Sequence, residues 1–189
     1  MHHGWIQAQG YEGGQAQHNQ VRIIRNFSTH WEPPPQRWYK LNFDSSFRVS
    51  SHCVGIGWIL RDYEGKYIAV GTSQVHNVHS AFQAEAAAFL LSLQFVWSSG
   101  WRQVWFENDC KGLVDIINQG LDSVELGNLL SKIRHWMSKL PLCSIDSIHR
   151  EKNQAADAFA KKSYDYHDYS RFNVPPEWLV KYFYFSFTA

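Results

Sequence analysis

The feature that most constrains the fold of this 189-residue chain is a run of three consecutive β-type segments. Near residue 80 the pattern changes to helical periodicity. The segments span 38–47, 53–62 and 66–75, and the Gly-containing turn DYEGK joins the second to the third. Because strands this close along a chain usually pair with their neighbours, the pattern predicts an antiparallel meander.

From residue 80 onwards the pattern alternates between helices and strands. Ser80 can cap a helix rich in Ala and Leu, which Gly100 ends. After it come a buried strand at 103–109, a helix through CKGLVDIINQG, an amphipathic helix at 125–140, a strand at 143–150 and a helix within NQAADAFAKKSYDY. The predicted fold class is therefore α/β: a mixed five-stranded sheet, with three antiparallel strands and then parallel crossovers, and helices on both faces.

Composition divides the chain into three parts. Residues 1–36 are rich in Gly, Gln and His and end in a proline run, which predicts a linker or a poorly ordered N-terminal tail. The regular pattern predicts a compact domain at 37–166. The aromatic, proline-containing segment 167–189 is a C-terminal extension, which either folds back on the domain or is the remnant of a junction.

Composition also argues against several classes of protein. The three cysteines show no CxxC spacing, which gives no zinc signal and favours a reducing compartment. No apolar run reaches the roughly 18 residues of a membrane helix, and the N-terminus lacks the pattern of a signal peptide. We therefore expect an intracellular protein, nuclear or cytoplasmic, that is not secreted and has no membrane partner. The net charge of +1 gives no strong nucleic-acid signature, although it is compatible with a local basic patch.

Four acidic residues stand where a lone carboxylate is unexpected. Asp44 ends the first predicted strand, and Asp109 ends the fourth. Glu85 and Asp157 lie among alanines in the first and last predicted helices, and burying an unpaired charge against a sheet is costly. The cost falls if the acids converge on a divalent cation, because Mg²⁺ takes oxygen ligands.

Each acid also has a simpler structural interpretation. Asp44 can be a turn residue, and Asp109 can cap the helix that follows it. Glu85 and Asp157 can be solvated positions on their helices. The residues alone leave these alternatives open.

Four motifs, in order, resemble those of a type 1 ribonuclease H domain. They are PPPQRWYKLNFD at the first strand, AEAAAF in the first helix, ENDCKGLVDIIN after the fourth strand and REKNQAADAFAK in the last helix. More narrowly, the chain resembles the reverse-transcriptase-associated RNase H-like domains that accompany retrotransposons in plant genomes. The resemblance covers residues 38–162.

The resemblance implies a Mg²⁺-dependent endonuclease that hydrolyses the RNA strand of RNA–DNA hybrids. It assigns two Mg²⁺ ions, for which Mn²⁺ can substitute, to a catalytic and metal-binding set: Asp44, Glu85, Asp109 and Asp157. Neighbouring side chains could read the 2′-hydroxyl groups of RNA or contact its phosphates. These candidate substrate-binding residues are Ser45, Gln83, Asn108, Arg150 and Asn153.

The sequence departs from the family pattern at two positions. Ser45 stands where the family usually has Gly, and Ser147 stands where members commonly place a His that assists proton transfer or product release. His149, two residues further on, either substitutes for that His or is an ordinary surface residue. Asn153 could instead cap the last helix, and Arg150 could instead be a salt-bridge partner.

Three functions are compatible with these residues. The first is an active hybrid ribonuclease, and the second is a domesticated RNase H-like module that binds nucleic acid or protein with little or no catalysis. The third is another nuclease of the same superfamily, such as an integrase or a 3′–5′ exonuclease. Exonucleases usually carry two acids two residues apart on the first strand, where this chain has Asn42 and Asp44. The expected partner is an RNA–DNA hybrid, and we expect a monomer or part of a larger retroelement polyprotein.

Overall fold

The computed structural model describes residues 31–166 and 169–184. Within these ranges the strands are β1 (Tyr39–Arg48), β2 (Cys53–Arg61), β3 (Tyr67–Val75), β4 (Gln103–Asn108), β5 (Leu142–Ser147) and β6 (Tyr169–Phe172). The α-helices are α1 (Ala81–Ser98), α2 (Lys111–Gln119), α3 (Gly127–Ser138), α4 (Arg150–Lys162) and α5 (Glu177–Tyr184). In this part of the chain no helix is both long enough and apolar enough to span a membrane.

The strands form one mixed sheet in the order β5-β4-β1-β2-β3-β6. β1, β2 and β3 pair antiparallel, whereas β4 runs parallel to both β1 and β5, as the alternation of helices and strands predicts. The sheet has six strands and not the predicted five, because the C-terminal extension returns and pairs β6 with β3. The α/β class and the meander followed by parallel crossovers are confirmed.

Strand β1 has an apolar face and a polar face, and both are buried near its centre. Leu41 and Phe43 are fully buried, and the ring of Phe43 stacks on Phe89 of α1 at 5.2 Å between centroids. Because side chains alternate along a strand, Asp44 lies on the opposite face, where α4 packs. Ser80 caps α1 as predicted, since its hydroxyl accepts a hydrogen bond from the backbone of Gln83.

Helix α4 approaches the sheet closely because β2 has Gly57 opposite Asp44. A Cβ at Gly57 would lie 2.3 Å from the backbone nitrogen of Ala160 and 2.7 Å from the carbonyl oxygen of Ala156. No other residue type fits between β2 and the α4 backbone without moving one of them. The glycine therefore fixes how near the residues of α4, Asp157 among them, come to β1.

Within the segment 1–36, which the sequence predicts as a linker or poorly ordered tail, Trp31 and Pro34 are buried. Trp31 is buried, and its indole nitrogen donates a 2.9 Å hydrogen bond to Asn42 Oδ1 on β1. The ammonium group of Lys40 lies 2.7 Å from the carbonyl oxygen of Glu32 and pairs with Glu107 at 2.8 Å. Residues 1–30, which make up the rest of the predicted tail, lie outside the described residues.

Candidate active site

The site begins where β1 and β4 separate. The two strands pair as far as Asn42 and Glu107, and β4 ends at Asn108, whereas β1 continues to Arg48. Asp44 is therefore inside β1, paired with Gly57 of β2, and its interpretation as a turn residue that ends a strand is wrong. Its carboxylate is almost entirely buried, at 5% exposure, at the point where the β4 side of β1 has lost its strand partner.

Neutral donors hold the carboxylates of Asp44 and Glu85. The backbone nitrogen of Ser45 donates to Asp44 Oδ1 at 2.8 Å. The hydroxyl of Ser45 donates to Glu85 Oε1 at 2.5 Å, and Asn108 Nδ2 donates to Glu85 Oε2 at 2.9 Å. Ser45 and Asn108 thus connect β1 and β4 to the first turns of α1, so the Ser that replaces the expected Gly orients a catalytic candidate.

Asn108 and Asn153 share one acceptor on β1. Both side-chain amides donate to the carbonyl oxygen of Phe43, at 3.0 Å and 2.9 Å respectively. Asn153 lies inside α4 and is buried, and His149 is the N-cap residue, so the helix-cap interpretation of Asn153 is wrong. Through this shared acceptor, α4 and β4 are both hydrogen-bonded to the backbone directly before Asp44.

Asp109 and Asp157 reach the same region from β4 and α4. Asp109 follows β4 directly, but Cys110 is the N-cap residue of α2 and no side chain caps that helix, so the capping interpretation of Asp109 is wrong. Asp157 is partly buried and accepts from Lys161 at 2.6 Å, while Arg150 lies 3.7 Å from it. Lys161 is four residues from Asp157 on the same helix, and this spacing alone indicates an ion pair between them. The sequence interpretation missed that ion pair.

The electrostatics show that the four carboxylates share one environment. Burial raises the pKa of Asp44 from 3.8 to about 9, and the negative charges of Glu85, Asp109 and Asp157 add to this effect. Burial also raises the pKa of Glu85, against hydrogen bonds from Ser45 and Asn108 that favour its ionised form. The negative charges of Glu85, Asp109 and Asp157 therefore all act on Asp44, which links the four acids that the sequence singled out.

The donor types and the charge of this cluster fit a divalent cation. All four side chains offer carboxylate oxygens, which are the ligands that Mg²⁺ prefers. In the described part of the chain, Asp44, Glu85 and Asp109 form no ion pair, so their mutual repulsion is left for an external cation to relieve. No group of three or more His, Cys, Asp or Glu side chains among the described residues is arranged to hold a metal. The fit therefore rests on chemistry and charge and not on a preformed coordination shell.

The remaining predicted residues lie around this cluster. Gln83 is engaged structurally: its Oε1 accepts from the backbone of His79, and its Nε2 donates to the carbonyl oxygen of Glu125, which ties the start of α1 to the segment before α3. Arg150 is exposed at the first position of α4 and does make the ion pair with Asp157 that the sequence left open. His149 is an exposed residue directly before α4.

Comparison with solved structures identifies the class of fold. Ribonuclease H1 from the archaeon Halobacterium salinarum NRC-1 superposes with a TM-score of 0.62 at 22% identity, over 68% of this chain and 98% of that one. LC11-RNase H1, isolated from compost by a metagenomic approach, superposes with a TM-score of 0.62 at 21% identity, over 69% and 97% of the two chains. A foamy viral protease–reverse transcriptase in complex with double-stranded DNA gives a TM-score of 0.53 at 14% identity, over 67% and 92%. The fold is that of the ribonucleases H.

Comparison with family models then gives the family. The model described as Reverse transcriptase-like matches residues 42–163, which is more than half of the chain. No curated protein sequence matches the chain. The chain belongs to the Reverse transcriptase-like family.

Proposed function

We propose that the protein is an endonuclease that hydrolyses the RNA strand of RNA–DNA hybrids and depends on Mg²⁺, with Mn²⁺ as a substitute. The observation that carries the proposal is the buried carboxyl group of Asp44, whose pKa is raised to about 9 by burial and further by the negative charges of Glu85, Asp109 and Asp157. A site that collects uncompensated negative charge is suited to binding cations and, through them, the phosphates of a nucleic acid. LC11-RNase H1, which has a similar fold, has been solved in complex with an RNA/DNA hybrid, with a TM-score of 0.60 at 20% identity.

The four carboxylates would hold the metal ions, namely Asp44, Glu85, Asp109 and Asp157. When bound, such ions lower the pKa of an attacking water and stabilise the leaving oxygen of a phosphodiester, which gives 5′-phosphate and 3′-hydroxyl ends. The protein's own groups set the positions of these acids. Ser45 and Asn108 orient Glu85, while Asn108 and Asn153 hold the backbone before Asp44.

Substrate contacts are assigned to polar side chains at the rim of the site. Arg150 is exposed at the N-terminus of α4, where both its charge and the helix end favour a backbone phosphate. The hydroxyl of Ser45 lies directly beside the acids, where a 2′-hydroxyl could exchange hydrogen bonds with it. Gln83 is less suited to this role than the sequence predicts, because both ends of its amide already have partners.

A cleavage assay tests the proposal. Purified protein with Mg²⁺ or Mn²⁺ should cut labelled RNA within a hybrid and leave single-stranded RNA and duplex DNA intact. Asp109→Asn should abolish cutting, since it removes one of the four carboxylates that would hold the metal ions. Asp122→Asn is the matched control, because Asp122 is a fully solvated carboxylate paired with Arg134 on the surface. Equal cutting by wild type and Asp109→Asn would refute the catalytic assignment.

Three observations favour the second candidate, an RNase H-like module that binds nucleic acid or protein with little catalysis. Ser45 occupies one oxygen of Glu85, and Lys161 occupies one oxygen of Asp157. Ser147 also leaves the position of the assisting His of the family without an imidazole, and His149, two residues further on, is exposed. If Ser45→Gly increases cutting while wild type binds hybrid but cuts slowly, this second function is the better description.

The wider assignments are also part of the proposal. We infer that the chain is intracellular, acts as a monomer or within a larger retroelement polyprotein, and derives from a plant retrotransposon. The motifs that support this origin are PPPQRWYKLNFD and REKNQAADAFAK.

A further inference from the structure

A cavity of about 340 Å³ lies on the α1 face of the sheet. It is lined mainly by aromatic rings from four different elements. We call it the aromatic pocket and define it by Trp58, Phe95, Trp97, Trp136 and Tyr169. None of these residues belongs to the carboxylate cluster or to the contacts that hold it.

The pocket is separated from the carboxylates along helix α1. Glu85 is in the first turns of α1, whereas the pocket is lined by residues from Leu91 to Ser98. At 1.5 Å rise per residue, this places the lining about 9 to 20 Å further along the helix axis. Since base pairs in a duplex are stacked about 3.4 Å apart, the separation corresponds to roughly three to six base steps.

The rings of the pocket pack against one another, and two of the five, Trp97 and Tyr169, are exposed. Trp58 stacks on Phe95 at 3.7 Å between centroids, and Trp97 packs edge-to-face on Trp136 at 5.3 Å. Trp97 is nevertheless 39% exposed, and Tyr169 is 56% exposed. A large exposed aromatic surface on a rigid support is the feature that base-stacking sites share.

Cationic side chains surround the pocket. Lys139 lies 5.8 Å from the ring of Trp97 and 5.5 Å from that of Trp136. Arg171 lies 5.3 Å from the ring of Phe95, and Arg102 lies 5.8 Å from that of Trp97. Among the described residues none of the three cations forms an ion pair with an acid, and all three side chains are exposed. One guanidinium nitrogen of Arg102 donates to the carbonyl oxygens of Trp97 and Trp101.

Polar side chains supply hydrogen-bonding groups inside the aromatic lining. Gln94 of α1 and Ser73 of β3 both line the cavity. Neither side chain forms a hydrogen bond to another part of the described chain, so both remain free to bind the edge of a heterocycle. The site therefore has three features: aromatic rings, cationic side chains and free hydrogen-bonding groups. A planar heterocycle that carries an anionic group would contact all three.

We propose that the aromatic pocket binds an unpaired base of single-stranded nucleic acid, while Arg102, Lys139 and Arg171 contact the neighbouring phosphates. A basic peptide is disfavoured, because the three cations already occupy the rim and would repel it. An acidic peptide would satisfy the charges but would leave the stacking surface of Trp97 without a planar partner. The proposal does not depend on cleavage, because it concerns a second surface that binds without a metal.

The test measures binding of a short fluorescein-labelled oligodeoxythymidylate to the full chain in EDTA, by fluorescence anisotropy at several salt concentrations. Trp97→Ala should weaken binding about 5- to 100-fold, since stacking on an aromatic ring contributes that much per base. Trp97→Phe keeps a stacking face and should retain most of the affinity. Lys139→Gln and Arg171→Gln should each weaken binding and reduce the slope of log K against log salt by about 0.7.

Matched controls come from the hairpin between β2 and β3. Tyr63→Ala removes an aromatic ring of similar exposure, and Lys66→Gln removes an exposed cation, both away from the aromatic pocket. Both should bind within about twofold of wild type, as surface substitutions away from a site do. Circular dichroism should show that every variant is folded.

Three outcomes would overturn the proposal. The first is absence of oligonucleotide binding by wild type, and the second is an affinity that Trp97→Ala and Tyr63→Ala reduce equally. The third is a wild-type dimer in analytical ultracentrifugation that Trp97→Ala dissociates, which would assign the aromatic pocket to self-association. None of these outcomes affects the hybrid-cleavage assay, so this proposal and the proposed function can fail separately.

Discussion

Replacing Asp44 with Asn should stabilise the protein at neutral pH when no divalent cation is present. Burial and three neighbouring carboxylates raise the pKa of Asp44 from 3.8 to about 9 in the folded state. At pH 7 the folded protein therefore holds a proton on Asp44 that the unfolded chain has lost. Because the folded state binds more protons, the free energy of unfolding falls as pH rises between about 4 and 9.

The magnitude follows from the two pKa values. Each pH unit above 3.8 costs about 1.4 kcal/mol, so the penalty at pH 7 is at most about 4 kcal/mol. Asn has the same shape and cannot ionise, and its Oδ1 can still accept the hydrogen bond from the backbone of Ser45. Asp44→Asn should therefore match wild type near pH 4 and exceed it by up to about 4 kcal/mol at pH 7.

Urea denaturation in EDTA at several pH values, followed by circular dichroism, measures this difference. Asp122→Asn is the control, because it removes a surface carboxylate and should show no comparable pH dependence. Adding Mg²⁺ should stabilise wild type more than Asp44→Asn, since binding to the folded state alone stabilises it by mass action. A variant that is less stable than wild type at pH 7, or a difference that does not change with pH, would refute the reasoning.

Two further substitutions test how the site is built. Trp31→Ala should lower the free energy of unfolding by about 3–5 kcal/mol in urea titrations, because it removes a buried ring and leaves Asn42 without a donor. The control Val124→Ala, at a fully exposed position, should change the free energy of unfolding little. Equal effects of the two substitutions would show that residues 31–36 are not part of the domain. Gly57→Ala should cost about 1–3 kcal/mol or more, since its Cβ would meet the α4 backbone. Gly112→Ala, whose Cβ meets only a ring carbon at 3.7 Å, should stabilise α2 by about 0.5–1 kcal/mol. If both glycine substitutions changed the free energy of unfolding in the same direction, the packing argument would be contradicted.

Local patterns were enough to predict most of the sheet. The alternation of Leu41 and Phe43 with polar residues predicts β1 and its buried face, and both residues are fully buried. The Ser80 cap and the apolar face of α1 are likewise local features, and the helix begins where they predict. Such features are predictable because they depend on residues within one or two turns of each other.

The contacts that fix the site were not predictable, because they join residues that are distant in sequence. The amide of Asn153 reaches the carbonyl oxygen of Phe43 across 110 residues, and Ser45 reaches Glu85 across 40. Asn153 has an equally good local explanation as a helix cap, which only the position of α4 excludes. The role of Gly57 is visible only once α4 is known to pack against it.

Composition was misleading at both ends of the domain. The proline run near Trp31 predicts an unstructured lead-in, yet Trp31 packs between cationic side chains, 5.3 Å from Lys40 and 4.2 Å from the guanidinium of Arg61. Strand β6 has four residues and gains its stability from pairing with β3, so it leaves no periodic signal of its own. In both cases tertiary contacts override a weak local preference.

The distribution of positive charge within the cluster indicates where a cation would bind first. Asp157 already has two cationic partners on its own helix, Lys161 and Arg150. Asp44 and Glu85 are held by neutral donors, and burial, together with the charges of neighbouring acids, raises the pKa values of their carboxyl groups. We therefore expect a first ion to bind on the Asp44 side of the cluster, whereas an ion at Asp157 would have to displace Lys161. Lys161→Gln should accordingly increase the affinity for the second of two ions and leave the first nearly unchanged, as isothermal titration with Mn²⁺ would measure.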